Sequence, residues 1–315
     1  MSLASRSAIV TGGGSGIGAS LTAALVGAGA DVVCTDLDLG AAEKTVAGLA
    51  GPGSARAAAV DVTQAAQVRQ VVDEVVEAHG RIDLMFNNAG ITYFGDTEDL
   101  TLDQWNSIID VNIRGVVHGV HAAYPRMVRQ RGGHIVNTAS MGGLMAAGLM
   151  TSYVATKHAV VGLSLALRTE AAAHGVGVTV VCPAAVDTPI LDKGEIGPYR
   201  GRDFYLDGQG IKRPLDADVL ARRVLAAVEA NEAMVVEPRR ARLAWRVGRL
   251  SPTFVTRTTT RFIARQRPGA EGIGMTAALP EIGCHGPAGW QARSQPRRSG
   301  SASLHTAIPY APTAR

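Results

Sequence analysis

The stretch Thr11-Gly12-Gly13-Gly14-Ser15-Gly16-Ile17-Gly18 decides how the chain is read. Ahead of it, Ser7–Thr11 is a short apolar run of strand type, and behind it residues from Ile17 to Gly27 suit a helix. A glycine cluster at a strand-to-helix junction has a physical purpose. Gly12 permits a tight turn, Gly16 lets backbone approach a pyrophosphate, and Gly18 lets the helix pack close to the sheet. The helix N-terminus offers N–H groups and a dipole to the phosphate charge. Ser15 and Ile17 share the turn and are expected to touch the same ligand, so the segment predicts a dinucleotide site.

Outward from this turn, β-branched runs alternate with helix-compatible stretches. Strands are expected at Asp31–Asp36, Ala57–Asp61, Leu84–Asn87, His134–Ser140, Val178–Cys182 and Met234–Val236. Helices are expected near Leu39–Leu49, Gln64–Ala78, Thr101–Arg131, Ser152–His174 and Ala217–Ala230. Strands apolar on both faces and separated by helices imply a parallel sheet covered on both sides. Right-handed crossovers make it a doubly wound α/β sheet, a Rossmann fold. A single domain over residues 1–238 is expected. A basic amphipathic extension over 239–267 follows, then a tail over 268–315, poor in periodicity and expected to be disordered.

Composition narrows the classes. Of 315 residues, 46% are hydrophobic and 18% charged, which supplies a large core, while 4% aromatics make a poor nucleic-acid stacking platform. Cys34, Cys182 and Cys284 are too far apart for a disulfide framework or a cysteine zinc site and fit a reducing compartment. The histidines form no metal-ligand grouping, so no metal is expected. Strand-like sequence from Ser7 leaves no room for a signal peptide, and no apolar run reaches the roughly 20 residues of a membrane span. A cytoplasmic protein is expected, with no nucleic-acid partner. The net charge of +4 hides a division: residues 1–236 carry 18 Lys and Arg against 24 Asp and Glu, and residues 237–315 carry 13 Arg against 3 Glu.

Asp36 ends the second strand, where an acid can accept hydrogen bonds from the adenosine ribose hydroxyls or cap the following turn. A 2′-phosphate would meet like charge there, and Thr11–Gly18 holds no Lys or Arg to offset it. NAD is therefore preferred over NADP. Asp61, with its neighbour Val62, either meets the adenine or caps the next helix. Tyr153 and Lys157 stand four apart in a helical segment and share a face, and Ser140 ends the strand before them. An ammonium near a phenol favours phenolate, and a nearby hydroxyl can donate to a substrate oxygen. Such a set can move a proton while hydride moves to or from a nicotinamide.

In the order TGGGSGIG, Asn87-Asn88-Ala89-Gly90, Asn112, Ser140 and Tyr153-Val-Ala-Thr-Lys157, the sequence resembles the short-chain dehydrogenase/reductase family. The likeness is to its compact TGxxxGxG/NNAG/YxxxK subfamily and covers about residues 5–236. That resemblance implies Tyr153 as general acid/base and Lys157 as the group that lowers its pKa and holds the nicotinamide ribose. It implies that Ser140 orients the carbonyl or alcohol and that Asn112 holds a water linking Lys157 to solvent. Asn88, Ala89 and Gly90 would border the cofactor, and the Val186 backbone with Thr188 would hold the carboxamide. A homodimer or homotetramer is implied too. The rival reading is an NAD-binding scaffold or redox sensor without turnover, against which the complete catalytic set argues.

Two departures from the family pattern stand out. Ala184 replaces the usual glycine after Pro183, so a positive φ there would cost about a kcal/mol or two. The usual glycine-rich finish is missing after the last strand. The substrate side is expected from Met141–Met150 and from a lid over 189–214, with Tyr93, Phe94, Phe204 and Tyr205 as candidate walls. Their apolar character points to a lipophilic or secondary alcohol or ketone. Residues 239–267 mix nine arginines with Leu243, Trp245, Val247, Leu250, Phe254, Val255, Phe262 and Ile263. Pro252 and Thr258-Thr259-Thr260 are expected to interrupt any single helix. Three readings stay open for this segment: peripheral association with an anionic membrane, an interface helix on the sheet edge or a second subunit, or a solvated arm.

Overall fold

A computed structural model describes residues 2–199, 201–208 and 211–266, all within one compact unit that spans Met1–Glu271. The tail over 268–315, with Cys284, lies outside the described residues. Seven strands form one sheet: β1 (Ser7–Thr11), β2 (Asp31–Asp36), β3 (Ser54–Ala59), β4 (Leu84–Asn87), β5 (Gly133–Thr138), β6 (Val176–Pro183) and β7 (Met234–Glu237). Their order is β3-β2-β1-β4-β5-β6-β7 with every pairing parallel. The order reverses between β1 and β4, which opens a crevice at the C-terminal ends of the strands.

Alternation along each strand divides the core into two layers. Val10 and Phe86 face Leu21 and Leu25 of α1 (Gly16–Gly27) and Leu220 and Val224 of α8 (Ala217–Glu229). Ile9 and Met85 face Val68 and Val72 of α3 (Ala65–His79) and Met127 of α5 (Gly115–Gln130). The expected long helical region is α4 (Leu102–Ile109) joined to α5 by a π-turn over Asp110–Arg114. Next comes α6 (Thr151–Ala171), and the segment over 189–214, expected as a lid, holds the short α7 (Gly201–Gly208). Helix α2 (Leu39–Ala47) ends two residues earlier than the sequence suggests.

The third strand lies further toward the N-terminus than expected. It is Ser54–Ala59, an edge strand without a β-branched residue, and Asp61 has already left the sheet to close a turn on Thr63. The basic extension forms two helices, α9 (Arg239–Leu250) and α10 (Pro252–Gln266). Pro252 stands at the first position of α10, where its missing N–H costs nothing. The three threonines do not interrupt that helix. Ala241 and Trp245 of α9 pack against the buried cluster that holds Val160, Cys182 and Val236, and Phe262 of α10 lies 5.3 Å from Phe204 between ring centroids. Among the described residues no helix is long and apolar enough to cross a membrane.

Candidate active site

A cleft of about 1150 Å³ runs across the C-terminal ends of the strands. Its first end is made of backbone. Gly12 and Gly16 have φ of +65° and +52°, and a Cβ on them would come within 2.8 Å of Ala89 Cα and Thr188 Cγ2. Gly18 lies behind the wall, where a Cβ would come 2.0 Å from the Gly12 oxygen and 2.7 Å from Asn88 Nδ2. Asn88 in turn donates to the Thr11 and Gly12 carbonyls and accepts from Thr138. The NNAG turn thus ties β4 to the glycine turn. Ser15, Ile17, Val62, Ala89, Gly90 and Val186 join the lining. This cradle, closed to any side chain, fits a pyrophosphate flanked by a nucleoside.

Both acids at this end make local bonds. Asp36 accepts from Gly14 N at 2.9 Å and from Asp38 N at 3.1 Å. Asp61 accepts from the backbone and hydroxyl of Thr63, so it serves the turn rather than capping α3, whose N-cap is Gln64. Each lines the cleft as well.

The second end carries the titratable set. Tyr153 and Lys157 leave one face of α6, with Lys157 Nζ 5.5 Å from the Tyr153 ring centroid. Lys157 is only 3% exposed, and its Nζ donates to the Thr138 carbonyl at 2.9 Å. Ser140 is the hydrogen-bond partner of the Tyr153 hydroxyl and also accepts from Gly142 N at 3.0 Å. Burial pushes the Tyr153 phenol up, against the Ser140 hydrogen bond, and brings the Lys157 ammonium down to about 8. Desolvation therefore opposes the phenolate that the neighbouring amine was expected to favour. Cys182, buried beneath them, is pushed up to about 12 by the same cause and stays a neutral thiol.

Asn112 does not line the cleft. It is fully buried in the π-turn, where it accepts from Ile91 N and donates to the Ile91 carbonyl and to Thr156. Thr156 Oγ1 donates to the Tyr153 carbonyl. A Cβ on Gly90 would lie 3.3 Å from both Asn112 Oδ1 and Lys157 Nζ, so that glycine keeps the two side chains within reach of one space. A π-turn inside a helix often marks a functional position. Ala184 avoids the left-handed region: its N–H bonds the Glu237 carbonyl at 2.8 Å and prolongs the β6–β7 ladder, so the expected strain is absent.

Beyond Tyr153 the walls are apolar. Met141, Met145, Met150, Phe204, Tyr205 and Ile211 line this end, with Val247, Val255 and Phe262 of α9 and α10. Phe94 packs on Phe204 at 4.5 Å rather than facing the cleft, and Tyr93 is tied to Ser107. A helix on the sheet edge is one of the three readings of this segment, and α9 packs there against the cluster that holds Val236 of β7. That α9 and α10 also line the cleft is not among those readings, although the recurring apolar residues among arginines are the signal for it.

The sequence matches the family described as short chain dehydrogenase over residues 6–195. Cyclohexanol dehydrogenase of an Acinetobacter strain is 37% identical over 190 residues, 60% of this chain and 76% of that protein. A short chain dehydrogenase/reductase from Burkholderia phymatum, solved in complex with NAD, superposes with a TM-score of 0.70 at 31% identity, covering 78% of this chain and 93% of that one. The 3-ketoacyl-(acyl-carrier-protein) reductase of Brucella melitensis, complexed with NADH, gives 0.68 at 27% identity over 75% and 98%. Helices α9 and α10 lie beyond the family match.

Proposed function

This chain belongs to the short chain dehydrogenase family, and from that premise we propose that it passes a hydride between NAD(H) and a lipophilic or secondary alcohol and its ketone. The observation that carries this reading is one continuous cleft, with the glycine cradle at one end and Ser140, Tyr153 and Lys157 on the wall of the other. When bound, the nicotinamide supplies or accepts the hydride. The rest falls to the chain. In reduction, Tyr153 Oη gives its proton to the carbonyl oxygen as that oxygen becomes a hydroxyl, and burial of the phenol keeps this proton in place at neutral pH. In oxidation the same atom takes the proton back.

Ser140 Oγ donates to the substrate oxygen and holds it against Tyr153. Lys157, fixed by the Thr138 carbonyl, has N–H groups left for the ribose hydroxyls and for resupply of the Tyr153 proton. Asn112 is a positioning residue that braces Ile91 and α6, and a water beside it would complete the relay to solvent. Asp36 disfavours a 2′-phosphate by like charge, which supports NAD over NADP. Val117 and Leu165 are exposed on α5 and α6, a pattern that supports a homodimer or homotetramer through those helices.

Turnover of a ketone panel, followed at the absorbance of NADH and of NADPH, tests the reading. Reduction of lipophilic ketones, at least tenfold faster with NADH, is the expected result. Tight NADH binding with no turnover across the panel would overturn it in favour of a scaffold.

A further inference from the structure

Helix α9 has two apolar faces, and only one is used. Ala241, Trp245 and Gly248 turn inward, with Trp245 and Ala241 against the core cluster that holds Val160, Cys182 and Val236, and Gly248 against Val255. At about 100° per residue, Leu243, Val247 and Leu250 fall within a stripe on roughly the opposite side. They are 64%, 52% and 87% exposed. Arg239, Arg240 and Arg246 flank that stripe and are exposed, and Arg249 lies over the Trp245 ring at 5.3 Å. On α10, Arg257 and Arg261 are exposed one turn apart. Residues 239–266 contain no acid.

We propose that this outer face of α9 is a docking surface for an anionic lipid bilayer. An apolar stripe between arginines is what an in-plane interfacial helix presents, since the stripe enters the acyl boundary while the guanidinium groups stay at the phosphates. A polyanion such as DNA would satisfy the arginines and leave the leucines in water. Val247 belongs both to the stripe and to the lining of the cleft. The docked face therefore brings the edge of the apolar end of the cleft against the lipid. The inference does not depend on the catalytic reading, because vesicle binding is measured without turnover.

The test is sedimentation of the full chain with vesicles of phosphatidylcholine alone and of phosphatidylcholine with roughly 30% phosphatidylglycerol. Binding at least tenfold tighter to the anionic vesicles, weakening as salt rises, is expected. The double variant Leu243→Ser/Leu250→Ser should lose tenfold or more of that binding while keeping the wild-type circular dichroism and NADH affinity. Equal binding to both vesicles, no binding to either, or binding to duplex DNA but not to vesicles overturns the proposal. So does a double variant that turns a dimer into a monomer with vesicle affinity unchanged, since the stripe would then belong to a second copy of the chain.

Discussion

At the Gly12–Gly18 end of the cleft the wall is backbone, and at the α9–α10 end it is side chain. The first end tolerates almost nothing: a single methyl group on Gly12, Gly16 or Gly18 would press into neighbouring atoms at 2.8 Å or less. The second end is lined by side chains that can repack, the methionines at 141–150 inside the family match and Phe204, Tyr205 and the α9–α10 residues beyond it. The shape of the glycine end is thus fixed by backbone geometry, and the shape of the apolar end is left to side-chain packing. Tyr153 stands where the two meet, so its loss should be felt whatever the substrate.

The largest effect is expected from Tyr153→Phe. Turnover should fall by roughly 10²–10⁴-fold, the worth of a positioned proton donor, with NADH affinity within about threefold of wild type. Steady-state rates and NADH fluorescence check the two halves of that statement, and near-normal turnover would remove Tyr153 from the chemistry. The pH dependence follows from the same atom. Burial raises the phenol's pKa, so at neutral pH Oη carries its proton and reduction has its donor. Oxidation needs the deprotonated form, so its kcat/KM should climb with pH above 7, by up to about tenfold per unit, while reduction should not climb. An oxidation rate that falls as pH rises would reverse the sign and break the assignment.

Gly18→Ala tests the backbone end. The added Cβ meets the Gly12 oxygen, so helix and turn must separate, at a cost of about 3 kcal/mol. A fall in Tm of roughly 6–12 °C and loss of NADH binding by more than tenfold are expected by calorimetry and titration. Asp36→Asn is subtler. It keeps an acceptor for Gly14 N but removes the charge, so the NADH-to-NADPH preference in kcat/KM should drop by roughly tenfold. An unchanged preference would leave Asp36 as a turn residue only.

These particulars also explain what could be read in the sequence. Gly16 and Gly18 were legible because only glycine satisfies their sterics, and Tyr153 with Lys157 because four residues are one helical turn. The shift of β3 was not legible, since Ser54–Ala59 has neither β-branched residues nor a clear alternation and takes its register from β2. Thr258–Thr260 read as an interruption because β-branched residues disfavour helix, yet the penalty is only about 0.5 kcal/mol each and tertiary packing of Phe262 and Ile263 outweighs it. The rise of the Tyr153 pKa was hidden for a different reason: spacing shows a neighbouring charge but not the burial that opposes it.

Phe262→Ala addresses the side-chain end and should have the smallest effect. Phe262 lines the cleft and packs on Phe204, whose ring also meets those of Phe94 and Tyr205. Removing its ring forfeits aromatic packing worth about 1 kcal/mol and widens the apolar wall, so KM for a bulky lipophilic ketone should rise roughly fivefold. A compact ketone that reaches Tyr153 without touching α10 should show less change, and NADH affinity, set at the far end, still less. If KM for both ketones and for NADH rose together, α10 would be bracing the whole cleft rather than shaping its substrate end. The separation between a rigid cofactor end and an adjustable substrate end would then fail at this residue.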